Sequence, residues 1–449
     1  MKALLKHALV IGAFSLGWTA LLVLLYVSGV NVPHAKYFAK LPLVARIRPQ
    51  PLVEQDPNGT TKTQTKGAAY PGPTWTDAQA WIPDDLRLHL PKKLFATPGQ
   101  EMSLYVDNIV LTPWPDALML QVTGPIAGRI ERRRWVITPT ASQVGEYPLS
   151  VALLDIKGKE VVRGKTTLCV QGTCQSSPKL RILIVGDSIT HAGVWVDELS
   201  KLLDGDKALS YELLGTNLSP TRPRVKHEAY GGWTYGLFLS HHEPGSAKIM
   251  QLDRSPFVFP TGNGKGAIDV ARYFQEQCGG RPPDIVVFAL GMNDIFCLRP
   301  DQTDPMRKAM DEVADQASEL VANFRKAAPG ATLGILMPPQ FSTSQPIFRV
   351  HYAAEFSRWR NRQLNHAWLE KLTQRFQSGD DALVSLIPTY ASFDAIDGYQ
   401  ANDPGHPNEL GSRQYAVSVY AWMKSVVGAN ERHENVSGLT PTPDAQAKR

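Results

Sequence analysis

Five patterns of apolar and polar residues follow one another along the chain. The first is an uncharged run from Ala8 to Val30, preceded by Lys2 and Lys6. A helix needs about 20 apolar residues to cross a bilayer, so residues 1–30 are expected to form a short cytoplasmic tail and a transmembrane anchor. A cleaved signal peptide is the alternative, but its apolar region is usually shorter and ends in small residues at a cleavage site. Lys36, Lys40, Arg46 and Arg48 beyond the run compete with the two N-terminal lysines under the positive-inside rule. With the N-terminal tail kept in the cytoplasm, the expectation is a single-pass protein of the cell inner membrane whose folded part faces the periplasm or the exterior.

Residues 31–80 show little periodicity and are rich in Pro, Gly, Thr, Lys and Gln, which reads as a flexible tether. Over 81–176 the pattern becomes short apolar or alternating runs: Met102–Val106, Ala117–Val122, Trp135–Thr138, Tyr147–Leu154 and Thr166–Val170. Turn signals such as Pro98-Gly99 and Lys157-Gly158 separate them, and the combination predicts a small β-sandwich. From 177 to 427 the runs Arg181–Val185, Tyr211–Leu214, Asp284–Leu290, Thr332–Met337 and Leu383–Ile387 resemble strands buried on both faces. Helical stretches fall between and after them, over Pro305–Ala328, Ala354–Gln377 and Asn408–Val426. This alternation predicts an α/β domain, a three-layer α/β/α sandwich of flavodoxin-like order with a mostly parallel sheet. Residues 428–449 are polar and are expected to be a disordered tail.

Composition narrows the possibilities without changing this division. A chain of 449 residues has room for about two folded units plus ends. At 43% hydrophobic and 20% charged residues it is neither a wholly disordered nor a collagen-like chain. A net charge of +5 with no basic stripe gives no reason to expect a nucleic-acid partner, and Arg132-Arg133-Arg134 reads as a solvated strand or loop face. Cys169, Cys174, Cys278 and Cys297 could form two bridges in an oxidising compartment or remain buried thiols. Neither a C-x-x-C pair nor an H-E-x-x-H motif is present, so no metal site is expected.

The candidate chemistry lies in three blocks and a glycine pair. The first strand of the α/β domain ends in Gly186-Asp187-Ser188-Ile189-Thr190. Ligand sites of open α/β sheets lie beyond the carboxyl ends of the strands, which places Ser188 well, although a serine there can equally be a helix cap. The strand Asp284–Leu290 leads into Gly291-Met292-Asn293-Asp294. If that strand lies beside the first, Asn293 emerges next to Ser188 and its amide can donate to an oxyanion. Gly232, in His227-Glu228-Ala229-Tyr230-Gly231-Gly232-Trp233-Thr234, is a candidate second donor, because glycine lets its backbone amide approach a substrate closely. Near the C-terminus, Asp403-Pro404-Gly405-His406-Pro407-Asn408 offers an imidazole with a carboxylate three residues away. A serine hydroxyl needs a base, and the base needs a third group to hold its tautomer. Taken alone, this last block also reads as the capped start of a helix, with Pro407 in its first turn.

Together these blocks, GDSIT, GGWT, GMND and DPGHPN in that order, resemble the GDSL-type (SGNH) serine hydrolases over most of Lys179–Val427. The resemblance implies an SGNH hydrolase domain over 177–427, with Ser188 as nucleophile, His406 as base and Asp403 as its partner. It further implies an oxyanion hole of the Ser188 amide, Gly232 and Asn293. GDSIT carries Ile where the family's name has Leu. The stretches HEAYGGWT, Ser255-Pro256-Phe257 and GMNDIF are similar to bacterial carbohydrate-esterase-like members with a small β domain in front. Asp187, Trp233 and Asp294 are candidate substrate-binding residues, and His227, Glu228, Tyr230 and Tyr235 could also face a sugar. The function so implied is hydrolysis of short-chain, acetyl-type esters on carbohydrate through an acyl-enzyme on Ser188, with no cofactor and no metal. An envelope-polysaccharide O-acyltransferase could use the same site if it excluded water. A lysophospholipase or thioesterase would need an extended apolar groove. A non-enzymatic binding protein would be expected to have lost a catalytic residue, and all are present.

Overall fold

The computed structural model describes residues 86–172, 179–244, 252–353, 355–377 and 381–437. All of them fall within one compact unit, Asp56–Arg449. The apolar run 8–30, the tether 31–80 and residues 438–449 lie outside the described residues, and among the described residues no helix is long and apolar enough to cross a membrane.

The front part is built from β1 (Lys93–Ala96), β2 (Met102–Tyr105), the one-turn helix α1 (Val106–Ile109), β3 (Met119–Thr123), β4 (Arg129–Glu131), β5 (Arg134–Ile137), β6 (Gly145–Leu154) and β7 (Glu160–Val170). They form two sheets, ordered β1-β7-β6-β3 and β2-β5-β4. Alternation along these strands turns Leu94, Leu104, Trp135, Leu149, Val151 and Leu168 inward. The same core cluster continues without a break into Leu183, Val185 and Phe288 of the following sheet. Polar bonds tie the two parts as well. The Asn108 amide donates to Phe393 O (2.6 Å), and Gln340 donates to Asn108 Oδ1 (2.8 Å) and Asp107 O (3.0 Å). Arg133, expected on a solvated face, is instead drawn into ion pairs with Asp107 (2.6 Å) and Asp394 (3.3 Å) because those carboxylates sit at the junction.

The second part opens with β8 (Leu180–Gly186), α2 (Ser188–His191), α3 (Val194–Gly205), β9 (Tyr211–Leu214), β10 (Asn217–Leu218), β11 (Lys226–Ala229) and α4 (Tyr235–Ser240). A hairpin, β12 (Val258–Gly262) and β13 (Lys265–Ile268), precedes α5 (Val270–Gln277), β14 (Ile285–Ala289), α6 (Met292–Ile295) and α7 (Thr303–Ala327). Then come β15 (Thr332–Leu336), α8 (Gln345–His351), α9 (Arg358–Phe376), β16 (Val384–Ile387), the short pair β17 (Tyr399–Gln400) and β18 (Asp403–Pro407), and α10 (Glu409–Ser437). The sheet order is β10-β11-β8-β14-β15-β16, with β9 along the first half of β8 and β11 along its second half. All its pairings are parallel except β10 with β11.

The apolar runs of the strands fill both faces. Ile182 and Ile184 of β8 pack with Trp195 and Leu199 of α3 and Trp422 of α10, while Leu183 and Val185 face the core shared with Phe324 of α7 and Trp368 of α9. The result is a three-layer α/β/α sandwich with helices on both faces. After β8 the chain builds β9 to β11 on one side and then returns as β14 on the other, so the strand order reverses at β8 and β14. In open α/β sheets such a reversal is where ligands bind, beyond the carboxyl ends of the strands.

Several boundaries differ from the sequence reading. The final helix runs on to Ser437, so the polar stretch from 428 is helical at its start rather than a tail throughout. The stretch expected as one helix from Ala354 begins instead at Arg358, where the Ser357 hydroxyl accepts the Arg360 amide (3.1 Å) and starts α9.

Candidate active site

Ser188 stands where β8 turns into α2. Gly186 permits that turn: a Cβ there would lie 2.3 Å from Thr190 Oγ1. The Asp187 carboxylate caps the helix by accepting the Ile189 amide (3.0 Å), which leaves Ser188 as the first helical residue. Asp187 is 4% exposed and engaged in this cap, so it holds the turn and does not face a substrate, contrary to the sequence reading.

The Asp403–His406 block is the short strand β18, paired with β17, and not a helix start. Asn408 serves α10 instead, its Oδ1 accepting the Gly411 amide (3.1 Å). One Asp403 oxygen accepts the amides of Gly405 (2.8 Å) and His406 (3.2 Å), and the other is 2.7 Å from His406 Nδ1. His406 Nε2 is 2.9 Å from Ser188 Oγ. Burial alone would raise the Asp403 carboxyl, but the hydrogen bond and charge of His406 outweigh it and hold the group below the ordinary carboxylate range. Burial likewise opposes protonation of His406, and the bond to and charge of Asp403, with Asp187 adding, raise it above the usual histidine value. A neutral His406 with its proton on Nδ1 therefore presents a bare, strengthened Nε2 to the serine hydroxyl.

The strand pairing β8–β14 brings Asn293 to the same edge as Ser188. Gly291, at φ +115°, makes the turn out of β14, and any side chain there would strike the Trp368 ring. The Asn293 amide donates to Trp233 O (3.1 Å), tying the asparagine block to the glycine block. In that block Gly232 has φ +76°, and a Cβ on Gly231 would lie 3.9 Å from Ser188 Cβ, so the glycine pair borders Ser188. The Gly231 amide donates to His191 Nδ1 (3.2 Å). His191 was not singled out from the sequence. Its spacing of three residues from Ser188 on one helical turn is the signal that could have found it.

Trp233 is corrected with Asp187. Trp233 is fully buried, its ring 5.0 Å from Tyr230 and 4.8 Å from Phe238, because it fills the core under the glycine block. The Asp294 carboxylate accepts the Tyr235 amide (3.1 Å) with one oxygen, and the other is sealed in without a partner, although the rest of the residue is partly accessible. Burial raises Asp187 to about 6 and Asp294 to about 7. His227, Glu228 and Tyr235 are interior too; Glu228 takes hydrogen bonds from Tyr230 (2.6 Å), Tyr273 (2.7 Å) and the Thr216 amide (2.6 Å). Among the described residues no group of His, Cys, Asp or Glu is arranged to hold a metal ion. Cys278 is a buried free thiol, pushed up to about 11 by burial, which removes one of the two bridges weighed from the sequence; Cys174 lies outside the described residues.

The model of the GDSL-like lipase/acylhydrolase family matches residues 184–414, about half of the chain. No curated protein matches the sequence. Among solved structures, the chain is similar to a carbohydrate esterase family 3 protein from Talaromyces cellulolyticus, at 17% identity and TM-score 0.36, over 56% of this chain and 99% of that one. A family two carbohydrate esterase from Clostridium thermocellum, solved with cellohexaose, aligns at 14% identity and TM-score 0.33 over 74% of this chain and 94% of its own. A GDSL-like lipase from Parabacteroides merdae aligns at 15% identity and TM-score 0.33, over 57% and 100%.

Proposed function

The chain belongs to the GDSL-like lipase/acylhydrolase family, and from that premise we propose that it is a serine esterase removing short acyl groups, acetyl foremost, from carbohydrate through an acyl-enzyme on Ser188. That it is a carboxylic ester hydrolase follows from the family. The observation that carries the finer reading is the relay Asp403–His406–Ser188, with contacts of 2.7 and 2.9 Å.

In this mechanism Ser188 Oγ attacks the ester carbonyl while His406 Nε2 takes its proton. The oxyanion is met by the amides of Ser188 and Gly232 and by the Asn293 side chain, and His406 returns the proton to the departing alcohol. Water, activated by the same nitrogen, then releases the acid. Asp403 keeps the imidazole in the required tautomer and offsets the positive charge it gains.

Two observations support a short acyl group on a bulky polar alcohol. The rings flanking the Asp–His strand already pack on one another: Phe296 stacks on Phe356 (centroids 4.9 Å), and Phe341 and Tyr352 close over Gly405. A long acyl chain needs an apolar wall open to receive it, and these faces are occupied. The His406 side chain is 36% exposed, so the relay opens to solvent. A cleft of about 940 Å³, bordered by Gln100, Arg132, Asp397 and Arg413, lies between the front sheets and α10 and does not include the relay. An open relay admits a polymer-borne ester and a hydrolytic water alike, which favours hydrolysis over acyl transfer.

Hydrolysis of 4-nitrophenyl esters of increasing length tests this reading. Acetyl is expected to exceed octanoyl by at least about tenfold in kcat/KM, or about 1.4 kcal/mol, and Ser188→Ala to abolish turnover of both. Rates that climb to octanoyl would point to a lipase-like substrate instead. Release of acetate from acetylated oligosaccharides then tests the alcohol side.

A further inference from the structure

A loop of two glycines has no side chains with which to fix itself, so its position depends on what its neighbours offer. The block Tyr230-Gly231-Gly232-Trp233 is held by backbone at two points: the Tyr230 amide donates to Gly186 O (3.1 Å) and the Trp233 amide to Tyr230 O (3.2 Å). Asn293 holds it at a third through Trp233 O. The fourth anchor is the His191 ring, whose Nδ1 accepts the Gly231 amide at 3.2 Å. A ring nitrogen that accepts carries no proton, so this contact requires neutral His191 with its hydrogen on Nε2.

Ser188 and His191 sit three residues apart on α2, on one face of the turn. A Cβ on Gly231 would lie 3.8 Å from His191 Nδ1 and 3.9 Å from Ser188 Cβ, so the ring and the nucleophile flank the same glycine. His227 and Tyr230 enclose the ring from the β11 side, with centroids 6.4 and 6.3 Å away. The other ionisable groups of the packed elements include Asp187 at the head of α2, Asp403 and His406 on β18, Lys226 and Glu228 on β11, and Glu198, Lys201 and Asp204 on α3; Glu228 is held by Tyr230 and Tyr273, and Asp403 by His406. Asp197 of α3 is engaged with Thr221, and Arg181 of β8 with Glu212.

We propose that His191 is a positioning residue of this ester hydrolase: by holding the Gly231 amide it sets the adjoining Gly232 amide against the carbonyl oxygen of the bound ester. The proposal rests on the reading of Ser188 as nucleophile and Gly232 as an oxyanion donor. His191 itself touches neither substrate nor the reacting atoms. Protonation would turn its acceptor into a second donor facing the Gly231 amide and release the loop. Desolvation lowers His191 while Asp403 raises His406, so a falling pH protonates the base first and the loop anchor second. The acid limb of kcat should therefore fall with a slope of one and become steeper than one where His191 also takes up its proton.

The test uses the full chain with 4-nitrophenyl acetate and the variants His191→Leu, His191→Asn and Ser188→Ala, each checked for an unchanged thermal midpoint. His191→Leu is expected to lower kcat about tenfold, less than loss of a direct oxyanion donor, with KM within about twofold. His191→Asn places an oxygen near the position of Nδ1 and is expected to recover at least about a third of the wild-type kcat, with an acid limb that keeps a slope of one. A kcat for His191→Leu within twofold of wild type would overturn the proposal, as would equal losses in the Leu and Asn variants or an effect confined to KM. If Ser188→Ala stays active, the nucleophile assignment fails and takes this proposal with it. If Ser188→Ala is inactive and His191→Leu is unaffected, only this proposal fails.

Discussion

Asn293 spends its side-chain amide on a backbone carbonyl, Trp233 O at 3.1 Å, while standing at the sheet edge beside Ser188. Removing a donor of this kind acts mainly on charge that develops in the transition state. Asn293→Ala is therefore expected to lower kcat about a hundredfold with KM within about threefold. Steady-state kinetics on 4-nitrophenyl acetate decides it: a large KM effect with kcat unchanged would make Asn293 a ground-state contact. At this scale the convergence of Ser188, Asn293, Asp403 and His406 was legible, because each stands in a block where glycine or proline marks a turn at a strand end. Trp233 was misread for a physical reason. An indole beside a glycine pair is the same signal whether it stacks on a sugar or fills the core, and only its packing against Tyr230 and Phe238 tells the two apart.

Among the elements, strands buried on both faces announced themselves as unbroken apolar runs, and Tyr211–Leu214 is observed with the bounds read from sequence. β11 did not, since Lys226-His227-Glu228-Ala229 looks like a surface segment. It is buried because tyrosine hydroxyls and the Thr216 amide satisfy Glu228 from three sides. The turn carrying Asn293 leaves a comparable mark on stability. The Asp294 pKa is raised from 3.8 to about 7, chiefly by burial, with the Asp187 charge adding. A carboxyl raised on folding contributes stability that is fully present below its unfolded value and lost as pH rises through its folded one, so this contribution disappears between about pH 4 and pH 7. Asp294→Asn keeps an oxygen for the Tyr235 amide and cannot ionise. It is expected to raise Tm at pH 8 by about 2–4 °C for each kcal/mol recovered and to leave it unchanged or lower at pH 4. Thermal melts of both proteins at the two pH values check the sign; an equal shift at both would mean that ionisation plays no part.

Over the whole molecule, the front sheets and the α/β layer share one core, and Arg362, 5% exposed, donates to Asp107 O and to Val110 O (2.7 Å) across the junction. A chain shortened to begin at Trp81 keeps all of this and is expected to retain wild-type kcat. One beginning at Lys179 leaves that guanidinium and the Gln340 amide without partners and exposes apolar core, so it is expected to lack a cooperative melt. A cooperative, active protein from Lys179 onward would show the front part to be dispensable. The central claim, that this family member works through an acyl-enzyme on Ser188, is tested most directly by mass spectrometry of protein quenched in acid during turnover of 4-nitrophenyl acetate. The account predicts a single added acetyl group on the peptide that contains Ser188, and none on Ser188→Ala. An unmodified Ser188 peptide, with turnover intact and the acetyl group on another residue or on none, would contradict it.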